Sequence, residues 1–188
     1  MQGLSGWIAL ALVAAVLLAI IYGYNRLVFN RARVAEAWSG IDVQLKRRSS
    51  LIPQLVACLK AYMAHERETL EELVSRRGAA QAHERDGAAD RAAVETQLTA
   101  ALLRTFALVE NYPQLKADAA FLDLQRNLSE VEEHIQMARR YYNGAVRELN
   151  VLVESFPSNL LARAFAFRCA TYFTLDDARD GLSPKLEF

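Results

Sequence analysis

The sequence predicts an all-α protein: an N-terminal transmembrane helix followed by an elongated antiparallel up-and-down helical bundle. Three observations carry that prediction. The first 25 residues contain no Asp, Glu, Lys or Arg, although the chain holds 22 basic and 22 acidic residues. Only four prolines and eight glycines interrupt its 188 residues, which are rich in Ala, Leu, Glu and Arg, the composition of long helices. Beyond the charge-free segment, apolar residues recur in alternating steps of three and four, the period of a helix with one buried stripe.

The first element is the anchor, residues 1–25. From Trp7 to Tyr22 the chain reads WIALALVAAVLLAIIY. With its uncharged flanks this gives about 20 residues, which at ~1.5 Å each cross a hydrocarbon layer of ~30 Å. Trp7 at one end and Tyr22 and Tyr24 at the other suit the two membrane interfaces, where an aromatic body stays in lipid and its polar tip in water. A cleavable signal peptide is the rival reading, but the preceding MQGLSG lacks the positive charge such a peptide carries. After the span come Arg26, Arg31, Arg33, Lys46, Arg47 and Arg48 against Glu36 and Asp42. Lys and Arg mark the side that stays in the cytoplasm, so the N-terminus is expected outside and the bulk inside.

The bundle is expected over 26–156. Leu27, Val34, Trp38, Ile41, Leu45, Ile52, Leu55, Leu59 and Tyr62 form the first stripe, broken by Arg31 and Arg48. Pro53 leaves two readings open. The stripe keeps its phase across it, which favours one long kinked helix, giving three long helices and placing Phe156 at the end far from the membrane. A break at Pro53, with Ser49 or Ser50 as cap, gives four and returns Phe156 to the membrane side. Residues 76–91, RRGAAQAHERDGAADR, lose the stripe and are expected to be a mobile loop. A second helix carries Val94, Leu98, Ala101, Thr105, Leu108 and Tyr112 on one face and ends at Pro113. The third starts near Asp118, and its stripe runs from Phe121 to Leu152 without a miss. Over 118–155 it would be roughly 57 Å long, which calls for long partners. Phe156-Pro157 stops it, and 157–188 reads as a short apolar segment, LLARAFAF from Leu160 to Phe167, with an irregular tail.

Several of these strings resemble a known family: YNRLV at 24–28, AWSGIDVQLKRR at 37–48, LIPQLV at 51–56, HERETL at 65–70, ENYPQLKA at 110–117, RRYYNGAVRELN at 139–150 and FPSNLLA at 156–162. The chain is similar to the LemA family over nearly all of its length beyond the anchor. It departs from the family pattern at Ser49-Ser50 and at Arg168-Cys169-Ala170. The resemblance implies a helical bundle in the cytoplasm, one N-terminal span at the bacterial inner membrane with a short external N-terminus, and no settled biochemical activity.

The residues themselves announce no chemistry, so no catalytic, cofactor-binding or metal-ligating residue is assigned. His65-Glu66 begins like a zinc-protease motif, but position 69 is Thr where the second ligand is needed. Tyr62, Ala80 and Val131 stand three before the histidines, where a bundle di-iron site needs Glu. Phosphate loops and nucleophile elbows are missing, and the balanced charge removes the electrostatic case for nucleic acid. Cys58 and Cys169 are far apart and read as two buried free thiols.

What remains is a non-enzymatic scaffold or interaction protein. Ala11, Ala15, Ala19 and Gly23 fall four apart, a line of small residues along which membrane helices pack closely, so a homo-oligomer or other membrane proteins are expected as partners. Chance alanine content is the bland alternative. Arg26, Arg31 and Arg33 would meet anionic headgroups of the membrane lipid, or serve topology alone. Leu160, Leu161, Phe165 and Phe167 are the candidate C-terminal contact, packing on the bundle end or touching membrane or partner; Tyr172 and Phe173 extend the question. The alternative function is a bilayer-acting protein that uses this aromatic segment at the membrane surface or remodels the membrane with it.

Overall fold

Helix α1 runs unbroken over Gln2–Lys60 in the computed structural model, which describes residues 2–175, with side chains from Gly6 onward. It is followed by α2 (Arg67–Ala82), α3 (Ala88–Val109), the single turn α4 (Pro113–Lys116), α5 (Ala119–Glu154) and α6 (Ser158–Ala164). The fold is all-α, an antiparallel bundle in which the long N-terminal helix packs against α5. The irregular tail expected after Leu175 lies outside the described residues.

Pro53 sits inside α1 and does not end it. A proline in a helix interior removes the N–H that would bond the carbonyl four residues earlier. That carbonyl belongs to Ser49, and Arg77 of α2 donates its Nε–H to it at 2.9 Å. The side chain of a neighbouring helix thus supplies the bond the ring cannot make.

The helix is continuous through Pro53, as the unbroken phase of its stripe favoured, and the chain reverses only at 61–66. There Tyr62 and Met63 both donate their N–H to the Leu59 carbonyl, and Glu66 donates to Met63. Met63 is fully buried, so the chain turns where a side chain plugs the core. Among the described residues the long helices therefore number four, not the three expected from a helix continuous through Pro53. The expected loop at 76–91 contracts to 83–87, because α2 extends to Ala82 and α3 starts at Ala88. Alanine-rich sequence there favours helix, Ala80 is buried, and Gly78 faces open space.

Among the described residues two compact units are distinguished: residues 2–38 with 141–171, and residues 39–140 with 172–175. In the second unit Ile52, Leu55, Leu59, Leu70, Leu73, Leu98, Leu102, Phe121 and Leu128 make the core. Asp118 starts α5 as expected: its Oδ1 accepts the Phe121 N–H at 3.0 Å, and its Oδ2 accepts the Tyr62 hydroxyl at 2.8 Å. These bonds, the Phe121 N–H first, hold the Asp118 carboxyl below its ordinary pKa.

Charges also enter this interior. Arg48, 1% exposed, donates to Glu95 Oε2 at 2.6 Å, to Glu132 Oε2 at 3.0 Å and to Thr99 Oγ1 at 2.9 Å. Arg91, equally buried, donates to Asp42 Oδ1 and to the Glu84 carbonyl, both at 2.7 Å. Arg48 does not interrupt the stripe; it lies on it, neutralised from α3 and α5. The buried face of α3 accordingly includes Arg91, Ala92 and Glu95 beside Leu98, Ala101 and Thr105, and Val94 and Leu108 are only half-buried.

Candidate functional site

The candidate site is in the first unit, where α1 leaves its apolar segment. Every residue from Trp7 to Tyr22 is exposed. Trp7 is 72% exposed, Leu18 67% and Tyr22 70%. This part of α1 is long and apolar enough to cross a membrane. Helix α3 passes the same test of length and composition, but its apolar side chains line the core and it carries the buried Arg91 and Glu95, so it is a core helix.

Ala11, Ala15 and Ala19 lie on this exposed surface. Gly23, the fourth of the small residues, has an intramolecular role. A Cβ added there would stand 2.5 Å from Leu161 Cδ1, so the Leu161 side chain would have to shift to admit one. Around this contact Leu27, Ala162 and Phe167 form a small core, with Val28, Leu152, Val153 and Leu161 packed on it.

The end of α6 is shaped to deliver Phe167 into that core. Ala166 has φ +57°, its N–H bonds to the Arg163 carbonyl, and the Phe167 N–H bonds to the Ala162 carbonyl at 2.8 Å. This pair of bonds around a left-handed residue is a Schellman motif, and its customary apolar contact is here Phe167 with Ala162. The Tyr24 ring meets Phe165 edge-on at 4.8 Å and Phe167 at 5.9 Å, and the Arg31 guanidinium lies 5.1 Å from the Phe167 ring centre.

The candidate C-terminal residues therefore divide. Leu161 and Phe167 pack on the chain's own helices, whereas Leu160 and Phe165 remain 57% and 52% exposed. Phe156, which the sequence reading treated as a helix stop, is 79% exposed beside them in the chain. Phe173, in the second unit, is fully buried, and Tyr172 is exposed.

Of the basic residues, Arg26 is exposed, Arg31 covers Phe167, and Arg33 donates to Glu148 Oε2 at 2.6 Å with its guanidinium 5.7 Å from the Tyr141 ring centre. Tyr141 first, then Glu148, raise the pKa of Arg33 above its ordinary value, so it stays charged. Beyond α6 the chain is irregular and is clamped to α5, and Cys169 within it is exposed where a buried thiol was expected. Asn150 accepts the Ala170 N–H at 2.8 Å and donates to its carbonyl at 3.0 Å, and the Tyr142 hydroxyl donates to the Thr171 carbonyl at 2.8 Å. No pattern in the sequence singles out Asn150 or Ala166, because a clamp and a left-handed alanine both depend on tertiary placement.

Chemically the site offers rings, aliphatic groups and guanidinium ions. Among the described residues no cluster of His, Cys, Asp and Glu is arranged to hold a metal ion.

The LemA family profile matches residues 37–188. The chain belongs to the LemA family. This LemA family chain is also 34% identical over 80 residues to magnetosome proteins MamQ 1 and MamQ 2 of Paramagnetospirillum magneticum, a match covering 43% of the chain. It spans 29% of the length of each of those relatives. The profile covers all three strings of the second half that carried the resemblance, and begins at Ala37, past the span and its basic residues.

Proposed function

We propose that this LemA family protein is a membrane-anchored, non-enzymatic scaffold that self-assembles or gathers other membrane proteins, with lipid as its solvent at one end. Residues 7–22 of α1 occupy the bilayer of the bacterial inner membrane, the N-terminus lies outside and the bundle lies in the cytoplasm. One observation carries the proposal: that apolar segment is uncovered along its whole length, whereas the apolar stripes of the other long helices are buried. An uncovered helix of this kind exceeds the few hundred Å² of contiguous apolar surface that soluble proteins tolerate. Arg26, Arg31 and Arg33 immediately after it support the orientation. The likeness to MamQ supports the family relationship; a magnetosome role is not part of this proposal.

The mass of the full-length protein in mild detergent or nanodiscs tests self-assembly, beside the variant Ala11→Leu/Ala15→Leu/Ala19→Leu. Gly23 is kept, because a side chain there would unseat α6. A defined oligomer that dissociates in the variant supports packing along the alanine line. A monomer in both refutes self-assembly and leaves heterologous membrane partners. The alternative reading, a protein that remodels the bilayer, has in its favour the exposed Phe156 and Phe165 next to the span. Vesicle tubulation by the full chain, lost in Phe156→Ser/Phe165→Ser, would select it.

A further inference from the structure

We infer that the exposed apolar side chains on and beside α6, Phe156, Leu160 and Phe165, are a second membrane contact, seated in the headgroup layer of the leaflet from which α1 emerges. The inference rests on the reading of residues 7–22 as a span and adds a contact that this reading does not require.

The argument is one of level along α1. Leu161 touches Gly23 and Phe165 touches Tyr24, so α6 sits within one helical turn of Tyr22, the last residue of the apolar run. One turn is about 5 Å of axial rise. A bilayer whose hydrocarbon is ~30 Å thick is about 40–45 Å thick with its headgroups, leaving roughly 5–7 Å of interfacial layer on each side. If Tyr22 marks the hydrocarbon edge, α6 falls inside that layer. The large apolar side chains exposed on it and at its ends are Leu160, Phe165 and Phe156, while Leu161, Ala162 and Phe167 pack on the chain's own helices. An aromatic ring at this depth is in its preferred environment, whereas in water it is uncovered apolar surface.

Charge points the same way. Residues 1–38 and 141–171 contain six arginines, Arg26, Arg31, Arg33, Arg147, Arg163 and Arg168, against Glu36, Glu148 and Glu154. Glu148 is occupied by Arg33, and Glu154 accepts the Cys169 thiol at 3.5 Å. Arg26 and Arg163, both exposed, flank the α1–α6 contact and match an anionic lipid surface. A short helix held on glycine, with rings outward and arginines beside them, resembles the arrangement of interfacial amphipathic segments.

The test uses the full chain with Cys58→Ala and Cys169→Ser, reconstituted into bilayers of phosphatidylethanolamine and phosphatidylglycerol. A nitroxide is placed singly at Val16→Cys, Leu160→Cys or Ala35→Cys; all three positions are exposed, and Ala35 is about 16 Å farther along α1 than Tyr24. Power saturation then compares collisions with dissolved oxygen, which enters lipid, and with a neutral nickel chelate, which stays in water. The expected result is oxygen in excess at Val16 and, to a lesser degree, at Leu160, with the nickel chelate in excess at Ala35. Oxygen excess at Val16 with Leu160 behaving like Ala35 overturns the second contact and leaves the anchor standing. A Leu160 label shielded from both agents means that protein covers α6, which also overturns it. A Val16 label in water removes the anchor and this inference together.

Discussion

Replacing Glu95 by Leu should be among the most damaging single changes in the second unit. Glu95 is 3% exposed, receives Arg48 at 2.6 Å and lies 3.7 Å from Arg91. Its removal leaves two guanidinium ions, each 1% exposed, with one carboxylate fewer. Breaking a buried pair from one side costs about 3–5 kcal/mol, because the orphaned charge stays desolvated. Arg48 keeps Glu132, which is 37% exposed and already shares its interaction with water, so compensation from that side is partial. The double variant Arg48→Met/Glu95→Leu replaces a charged pair with apolar groups of comparable length and should cost clearly less than the two single changes added together. Thermal unfolding of the full chain in mild detergent, followed by helical circular dichroism, reads both quantities. At roughly 2–4 °C per kcal/mol for a protein of this size, Glu95→Leu should lower Tm by about 6–20 °C. A loss below about 1 kcal/mol, the level of an exposed ion pair, would show that water reaches Arg48 and would refute the buried network. Strict additivity in the double variant would refute the coupling.

Four further outcomes are expected. Gly23→Leu should displace α6 from α1, at a cost of about 1–3 kcal/mol for overpacking, and speed limited proteolysis near Phe156; unchanged cleavage would contradict the close approach. Arg77→Met should strip the Ser49 carbonyl of the donor that replaces the missing proline N–H, costing about 1–3 kcal/mol, whereas the same change made with Pro53→Ala should cost less; equal costs would separate Arg77 from Pro53. Ala166→Gly should stabilise the chain by about 1 kcal/mol, since an L side chain in the left-handed region is strained; a loss in urea midpoint would count against that geometry. Because the folded Asp118 carboxyl titrates below its ordinary value, the unfolded chain takes up its proton first as pH falls. Its contribution is full at neutral pH and drains below about pH 4. The urea midpoint should therefore fall with acidification in that window, and Asp118→Ala should flatten part of the fall; an identical pH profile in the variant would dismiss the cap.

The apolar span was legible because it is stated twice in the sequence, as missing charge and as apolar length. The α5 stripe was legible for a similar reason: Leu128, Val131, Ile135, Tyr142, Ala145 and Leu149 are all buried as the period requires. The turn at 61–66 was not legible, since Ala61-Tyr62-Met63-Ala64 contains no glycine or proline and the helix ends there through the burial of Met63. Pro53 left two readings open, and the continuous helix that the stripe favoured is the one observed, with the bond the ring cannot make supplied by an arginine 24 residues away. In the candidate site the spacing of Ala11, Ala15, Ala19 and Gly23 reads as a seam between membrane helices, and a one-dimensional pattern could not say that the neighbour of Gly23 would be Leu161 of the same chain. The division of LLARAFAF into packed and exposed residues follows from the left-handed Ala166, which redirects Phe167 and which no alanine in a sequence announces.

The make-up of the first unit has a consequence for biosynthesis. It joins residues 2–38 to residues 141–171, so the partners of Gly23, Leu27 and Arg33 are made only after residues 39–140. At about 5–20 residues per second that interval is on the order of ten seconds. During it the nascent chain has its apolar helix, while Leu27 and Tyr24 still lack Phe167 and Phe165. A ribosome stalled inside α5 would leave those groups open, so Tyr24 and Leu27 stay uncovered until residues 165–167 have been made.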